Sequence, residues 1–173
     1  AGYVNLDFEA HGGEIIDFFY TEHIRPDGIP VRRARNGTLA SMADRYRCRP
    51  GRQRYQFFAW KGFRYVLVVF RDVKRPLKVH RIDYTFTSYP VRRQGAFHCS
   101  DERLNRIWET GAWTQQLCMH DAYMDCPWRE QAQWWGDARI QWRVNMAAYR
   151  DFALFKRGIR QAAQSQMDSG LTY

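Results

Sequence analysis

The first half of the chain alternates. From Tyr3 to Ala10, apolar Val4, Leu6 and Phe8 are separated by polar Asn5 and Asp7, the two-residue period of a strand with one buried face. The turn His11-Gly12-Gly13 follows, then Glu14 to Ile24, rich in β-branched and aromatic residues, so these two runs are expected to pair as a hairpin. Pro26 to Gly28 and Pro30 end that run. Arg54 to Phe58 and Tyr65 to Phe70 predict two further strands, with Gly62 in the turn between them. The second, YVLVVF, is apolar throughout and suits a buried position. Alternation returns from Val79 to Ser88, with Ile82, Tyr84 and Phe86 on one face. Short strands with turn signals between them predict a β-sandwich, or part of one.

Near Phe97 the period lengthens. Ser100 is a good helix N-cap, and Asp101 and Glu102 follow where the helix dipole favours anions. Leu104, Ile107, Trp108, Gly111 and Gln115 then fall at helical spacing through roughly Cys118, the first three as an apolar stripe. A second helix is expected from Gly136-Asp137 to about Tyr149, with Ile140, Val144 and Ala147 on one face. Asp151 caps a third, carrying Phe152, Phe155, Ile159 and Ala162 and ending around Gly170. Strands first and helices last predict an α+β chain with its boundary near Ala96.

Composition narrows the picture. Among 173 residues, 45% are hydrophobic and 16% aromatic, enough to build a core and to line a sugar or base site. The net charge of +9 admits attraction to an acidic polymer. Yet the arginines are dispersed, as Arg32-Arg33, Arg92-Arg93 and the series Arg45, Arg47, Arg49, Arg52 and Arg54, with no nucleic-acid-binding motif. No nucleic-acid partner is therefore expected. Cys48, Cys99, Cys118 and Cys126 form no CxxC pair, so free thiols are expected. His98, Cys99, Cys118, His120 and Cys126 are soft ligands in one region, but their spacing is not that of a zinc site. No signal peptide and no apolar run of transmembrane length is visible, so no membrane partner is expected; location stays unknown from the sequence, with a cytoplasmic one favoured.

The densest chemistry lies between the first two helices, in DCPWREQAQWWGD from Asp125 to Asp137. Pro127 and Gly136 mark it as a connecting loop, where function tends to be carried. Singly, its acids have structural uses: Asp137 as a cap, Asp125 in a turn before Pro127, Glu130 paired with Arg129 or Arg139. Together with Trp128, Trp134 and Trp135 they also fit glycoside hydrolysis. There, one carboxyl against an apolar wall protonates the leaving oxygen, while ionised ones hold hydroxyls and stabilise an oxocarbenium-like transition state.

The stretch DCPWREQAQWWGDAR, Asp125 to Arg139, resembles the signature loop of the bacterial and fungal α-L-rhamnosidases, the six-hairpin glycosidases of glycoside hydrolase family 78. That pattern is Asp-Cys-Pro-x-Arg-Glu, then an aromatic-Gly-Asp. FHCSDERLNRIWETGAWT from Phe97, LCMHDAYMDCP from Leu117 and SQMDSGL from Ser165 also resemble the family. So, more weakly, does FFAWKGFRYVLV from Phe57, which is similar to the β-sandwich preceding the helical barrel. The resemblance implies a β-sandwich portion over 1–96 and, over 97–173, the first helices of an (α/α)6 barrel left incomplete. An incomplete ring leaves apolar helix faces uncovered, which favours association that buries them.

The resemblance also implies roles. Glu130 matches the general acid. Asp125 and Asp137 match carboxylates that bind rhamnose hydroxyls. Arg129 and Trp134 match residues at the sugar pocket, the indole facing the 6-deoxy methyl group. The implied substrate is a rhamnose-containing glycoside or polysaccharide, and no cofactor or metal is implied. The implied mechanism is inverting, which needs a second carboxylate as base about 6.5–9.5 Å from the acid. In the family that base comes from later in the barrel. Here Asp151 and Asp168 read as a cap and a turn acid, so the chain is expected to carry the acid half of a site in a longer enzyme. The alternative is a non-catalytic carbohydrate-binding or structural role.

Overall fold

The computed structural model describes residues 1–28 and 42–172. Pro30 and the Arg32-Arg33 pair lie outside the described residues. The chain divides into two compact units: Ala1–Thr87 with Pro127–Arg129, and Ser88–Cys126 with Glu130–Tyr173.

Among the described residues the first unit holds six strands: β1 (Gly2–Ala10), β2 (Ile15–Thr21), β3 (Ala43–Arg47), β4 (Gly51–Gln56), β5 (Tyr65–Arg71) and β6 (Lys78–Phe86). They form two antiparallel three-stranded sheets, β4-β1-β6 and β3-β2-β5. Consecutive β1 and β2 therefore do not pair, and the expected hairpin is instead an arch between sheets. Gly12 and Gly13, at φ of 104° and 95°, supply the left-handed turn that moves the chain from one sheet to the other. Glu14 holds the arch by accepting the N–H groups of His11 (3.0 Å) and Gly12 (2.7 Å). Val4, Leu6 and Phe8 from β1 join Ile16, Phe18 and Tyr20 from β2 in one core, completed by Cys48 and Phe57. β1 keeps the alternation predicted for it, and its apolar face meets Ile16, Phe18 and Tyr20 of β2 across the core rather than side by side.

Two further expectations change. YVLVVF is an edge strand, β5, with Val66 to Val69 half-buried and Tyr65 and Phe70 exposed. Only Val66 and Val68 pack on the core cluster, because alternate residues of an edge strand turn away from it. The arginine series folds into β3, β4 and the turn between them. Arg45 and Arg71 flank the buried Asp17 at 2.6 and 2.7 Å, and Arg52 and Arg54 pair with Asp7 at 2.9 and 3.0 Å. Three of the five arginines in the series, Arg45, Arg52 and Arg54, are thus committed to cross-strand ion pairs.

The second unit holds α1 (Glu102–Leu117), α2 (Trp135–Ala148) and α3 (Ala153–Gln164). Asp101, not Ser100, caps α1, its side chain accepting the Arg103 N–H at 2.9 Å. Phe152, not Asp151, occupies the N-cap position of α3, and Asp151, one residue earlier, accepts the N–H groups of Ala153 and Leu154. That helix ends at Gln164, before Gly170. The packed helix faces differ from the expected stripes. The buried positions are Asn105, Ala112 and Gln115 on α1, Ala138, Asn145 and Ala148 on α2, and Leu154 and Gly158 on α3. Leu104, Ile107, Ile140, Phe152 and Ile159 are exposed. Small residues face inward because the backbones approach closely. At the end of α2, for example, Gln94 and Gly95 donate their N–H groups to Ala148 O, each at 3.0 Å. Around these contacts Met119, Tyr123 and Leu154 form a core with Trp135, Trp142 and Phe155, the last two rings stacked at 4.4 Å.

Candidate functional site

Residues 118–134 join α1 to α2 and carry the candidate acids. The segment starts from a fixed point, since Met119 and Tyr123 are buried and bridge each other across a tight turn. Cys118 O then receives Met124 N–H at 2.8 Å, and Gln141 of α2 donates its side-chain amide to Met124 O.

From there the chain makes a closed loop. Asp125 N–H donates to Ala132 O at 2.9 Å, and Ala132 N–H returns to Asp125 Oδ1 at 3.0 Å. Gln131 takes the left-handed conformation, φ 54°, that lets the loop close over so few residues. Inside it, Cys126 Sγ accepts the Glu130 N–H at 3.4 Å. Just beyond it, Trp134 Nε1–H donates to Glu130 Oε2 at 3.2 Å. Burial works to raise the Asp125 pKa. Hydrogen bonds from the Ala132 and Cys126 amides, the Cys126 thiol and the Glu130 carboxyl outweigh it and hold Asp125 below the usual carboxylate value.

The structure therefore brings three of the five expected residues, Asp125, Glu130 and Trp134, into one hydrogen-bonded set. Glu130 and the Trp134 ring remain exposed, open to a ligand. Asp137 stands exposed in the first turn of α2, where an acid steadies a helix start. Arg129 is exposed and, with Pro127 and Trp128, groups with the β unit. Asp151 accepts the Ala153 N–H at the start of α3, and Asp168 lies in the turn where Met167 and Leu171 bond.

Sequence reasoning gave no role to the Ala132 peptide or the Cys126 thiol. The first is backbone and leaves no trace in residue type. The second had a signal, a cysteine between an acid and a proline, but soft-ligand chemistry drew attention instead. Among the described residues no three His, Cys, Asp or Glu side chains are grouped to hold a metal ion, and no helix is long and apolar enough to cross a membrane. A groove of about 480 Å³ lies along Asn5, Asp7, Arg54, Gln56, Arg81 and Asp83 of the β unit, and no loop residue lines it. Its polar groups bond one another, Asn5 to Asp83, Gln56 to Asn5 and Arg54 to Asp7.

Residues 92–173 match the family described as the bacterial alpha-L-rhamnosidase 6 hairpin glycosidase domain. A GH78 family rhamnosidase structure from Bacillus sp. GL1 superposes with a TM-score of 0.86 at 35% identity, over 95% of this chain and 17% of that one. A rhamnosidase from Klebsiella oxytoca, solved with rhamnose bound, shares the fold with a TM-score of 0.78 at 20% identity, over 94% of this chain and 33% of that one. An alpha-L-rhamnosidase of Formosa agariphila is 26% identical over 162 residues, 91% of this chain and 17% of that protein. The chain thus spans about a sixth of the length of the curated relative it matches. In motif, family match and structural likeness, residues 92–173 are similar to the six-hairpin glycosidase domain of the bacterial α-L-rhamnosidases.

Proposed function

We propose that this chain supplies the acid side of an inverting α-L-rhamnosidase site, its helices being the first of an (α/α)6 barrel. The observation that carries the reading is the closed loop of Asp125 to Ala132, which gathers Glu130, an ionised Asp125 and the Trp134 indole. In this reading Glu130 is the group that delivers a proton to the glycosidic oxygen, beside an Asp125 held below the usual carboxylate pKa. Asp125 and Asp137 then accept sugar hydroxyls and offset positive charge at the anomeric carbon, and Arg129 donates to the sugar. The exposed Trp134 ring offers the apolar surface that a 6-deoxy sugar, with its methyl group, takes in place of a primary alcohol. Water attacks the opposite face of the sugar, activated by a base that the longer enzyme provides. The substrate is a terminal α-L-rhamnoside of a glycoside or polysaccharide.

The test uses the intact parent enzyme and an aryl α-L-rhamnoside. Glu130→Gln and Asp137→Asn are each expected to lower kcat by about 100-fold or more while circular dichroism stays unchanged. Proton NMR of the first product is expected to show the inverted anomer. Wild-type rates in both variants would sink the role assignment and leave a carbohydrate-binding or structural reading.

A further inference from the structure

The β unit contains three residues from the middle of the candidate loop, Pro127 to Arg129. Their seat within it is specific. Gly62 is buried against Pro127: a Cβ there would overlap the Pro127 carbonyl oxygen and lie 2.5 Å from its carbonyl carbon. Only a residue without a side chain permits that approach. Next to it, the half-buried Trp128 donates Nε1–H to the backbone carbonyl of Tyr20 at 3.3 Å, a bond spanning 108 residues of sequence.

The seat is itself held from several sides. Lys61 exchanges two 2.9 Å backbone hydrogen bonds with Gly2 at the start of β1. Phe63 packs on the core, its ring 5.3 Å from that of Tyr20, and Arg64 N–H bonds to Thr21 O. Tyr20 lies in β2, flanked by strands on both sides. The backbone that precedes Glu130 is therefore pinned to a folded sheet, though the residues themselves have the look of an open loop.

We infer that Gly62 and Trp128 are positioning residues, fixing Arg129 and, one peptide bond on, the proton-donating carboxyl of Glu130. The inference rests on the role proposed above for Glu130. Neither residue touches the sugar or the reacting atoms. Their effect is the aim of the acid, and a general acid misplaced by a fraction of an ångström loses much of its rate advantage.

The test separates aim from stability through the leaving group. Methyl α-L-rhamnoside needs its departing oxygen protonated, whereas a dinitrophenyl rhamnoside departs without help. In the intact parent enzyme, Gly62→Ala is expected to lower kcat/KM on the methyl glycoside about 10-fold or more and on the dinitrophenyl glycoside less than about threefold. Trp128→Phe, which keeps the ring and deletes only the donor, is expected to show the same selectivity more weakly, and it serves if Gly62→Ala does not fold. Gly111→Ala, whose added Cβ meets open space, is the control and should match wild type. Glu130→Gln should show the same selectivity most strongly. Equal losses on the two substrates in Gly62→Ala and Trp128→Phe would make the seat merely structural and overturn the inference. So would unchanged rates in both while Glu130→Gln stays selective, and in that case the acid assignment survives. Loss of selectivity in Glu130→Gln itself would bring down the acid assignment and the inference together.

Discussion

Asp17 offers a measurable account of how the β unit tolerates a charge in its interior. Its carboxylate is 3% exposed and accepts from Arg45 on one side and Arg71 on the other, at 2.6 to 2.9 Å. The hydrogen bond from Arg45 is the main cause that brings the Asp17 pKa from 3.8 to about 2, against burial, with Arg71 assisting. Taken whole, a drop of that size is worth about 2.4 kcal/mol, at 1.36 kcal/mol per unit. The arginine side chains are half exposed, so water screens part of the interaction, and about 1–2 kcal/mol is the better expectation. The sign follows from linkage. A folded-state pKa below the unfolded one gives stability that is present above pH 3.8 and lost as pH falls through about 2. Asp17→Asn removes the titrating group and keeps the shape. Urea unfolding followed by circular dichroism, for wild type and variant across the acid range, isolates the term as their difference. The gap should hold constant from neutral pH down to about 4, then narrow by about 1–2 kcal/mol near pH 2. A gap independent of pH over that range would refute the electrostatic explanation and leave only the packing of the side chain.

Two further outcomes test the helical unit. Tyr149→Phe deletes the buried hydroxyl that donates to Ala112 O at 2.6 Å, and should destabilise by about 1 kcal/mol in chemical denaturation. Gly95→Ala places a Cβ against the Ala147 peptide, 2.8 Å from its carbonyl carbon, and should cost about 1–3 kcal/mol in the same assay.

What the sequence concealed has a common physical origin. The alternation of β1 and the aromatic, β-branched make-up of β2 marked both as strands but not which strand pairs with which. A hairpin and an arch bury the same residues, and the choice lay in Gly12, Gly13 and the carboxylate of Glu14, which accepts the turn's own amides. The helix stripes misled for a related reason. Leu104, Ile107, Ile140 and Ile159 are apolar and exposed, whereas Ala112, Ala138, Ala148 and Gly158 are small and buried. Hydrophobic period marks every face that any neighbour covers; close helix contact is marked by small residues, which carry little hydrophobic signal. The candidate loop was legible because its chemistry sits in side-chain types: Asp125, Glu130 and Trp134 are recognisable as letters. Its shape was not, because the Ala132 peptide, the Tyr20 carbonyl and the missing Cβ of Gly62 are features of backbone.

That division bears on how the loop's acids share their work. Asp125 has two carboxylate oxygens, and Oδ1 is already engaged by the Ala132 amide that closes the loop. A side chain so engaged cannot turn freely toward a sugar, so any hydroxyl it accepts must come to the remaining lone pairs, beside Glu130. The constraint is useful to a proton donor. In the acid role proposed for Glu130, an Asp125 carboxylate fixed by the Ala132 amide and held below its usual pKa would keep its charge beside the donor without being assembled at each turnover. The cost is that Asp125 is inseparable from the loop's geometry. Replacing it removes a charge, a loop closure and a neighbour of Glu130 in one step, so its effect cannot be apportioned by that substitution alone. The positioning role inferred for Gly62 and Trp128 acts at the middle of the same loop and removes none of those three, and that is why they offer the cleaner separation of position from charge.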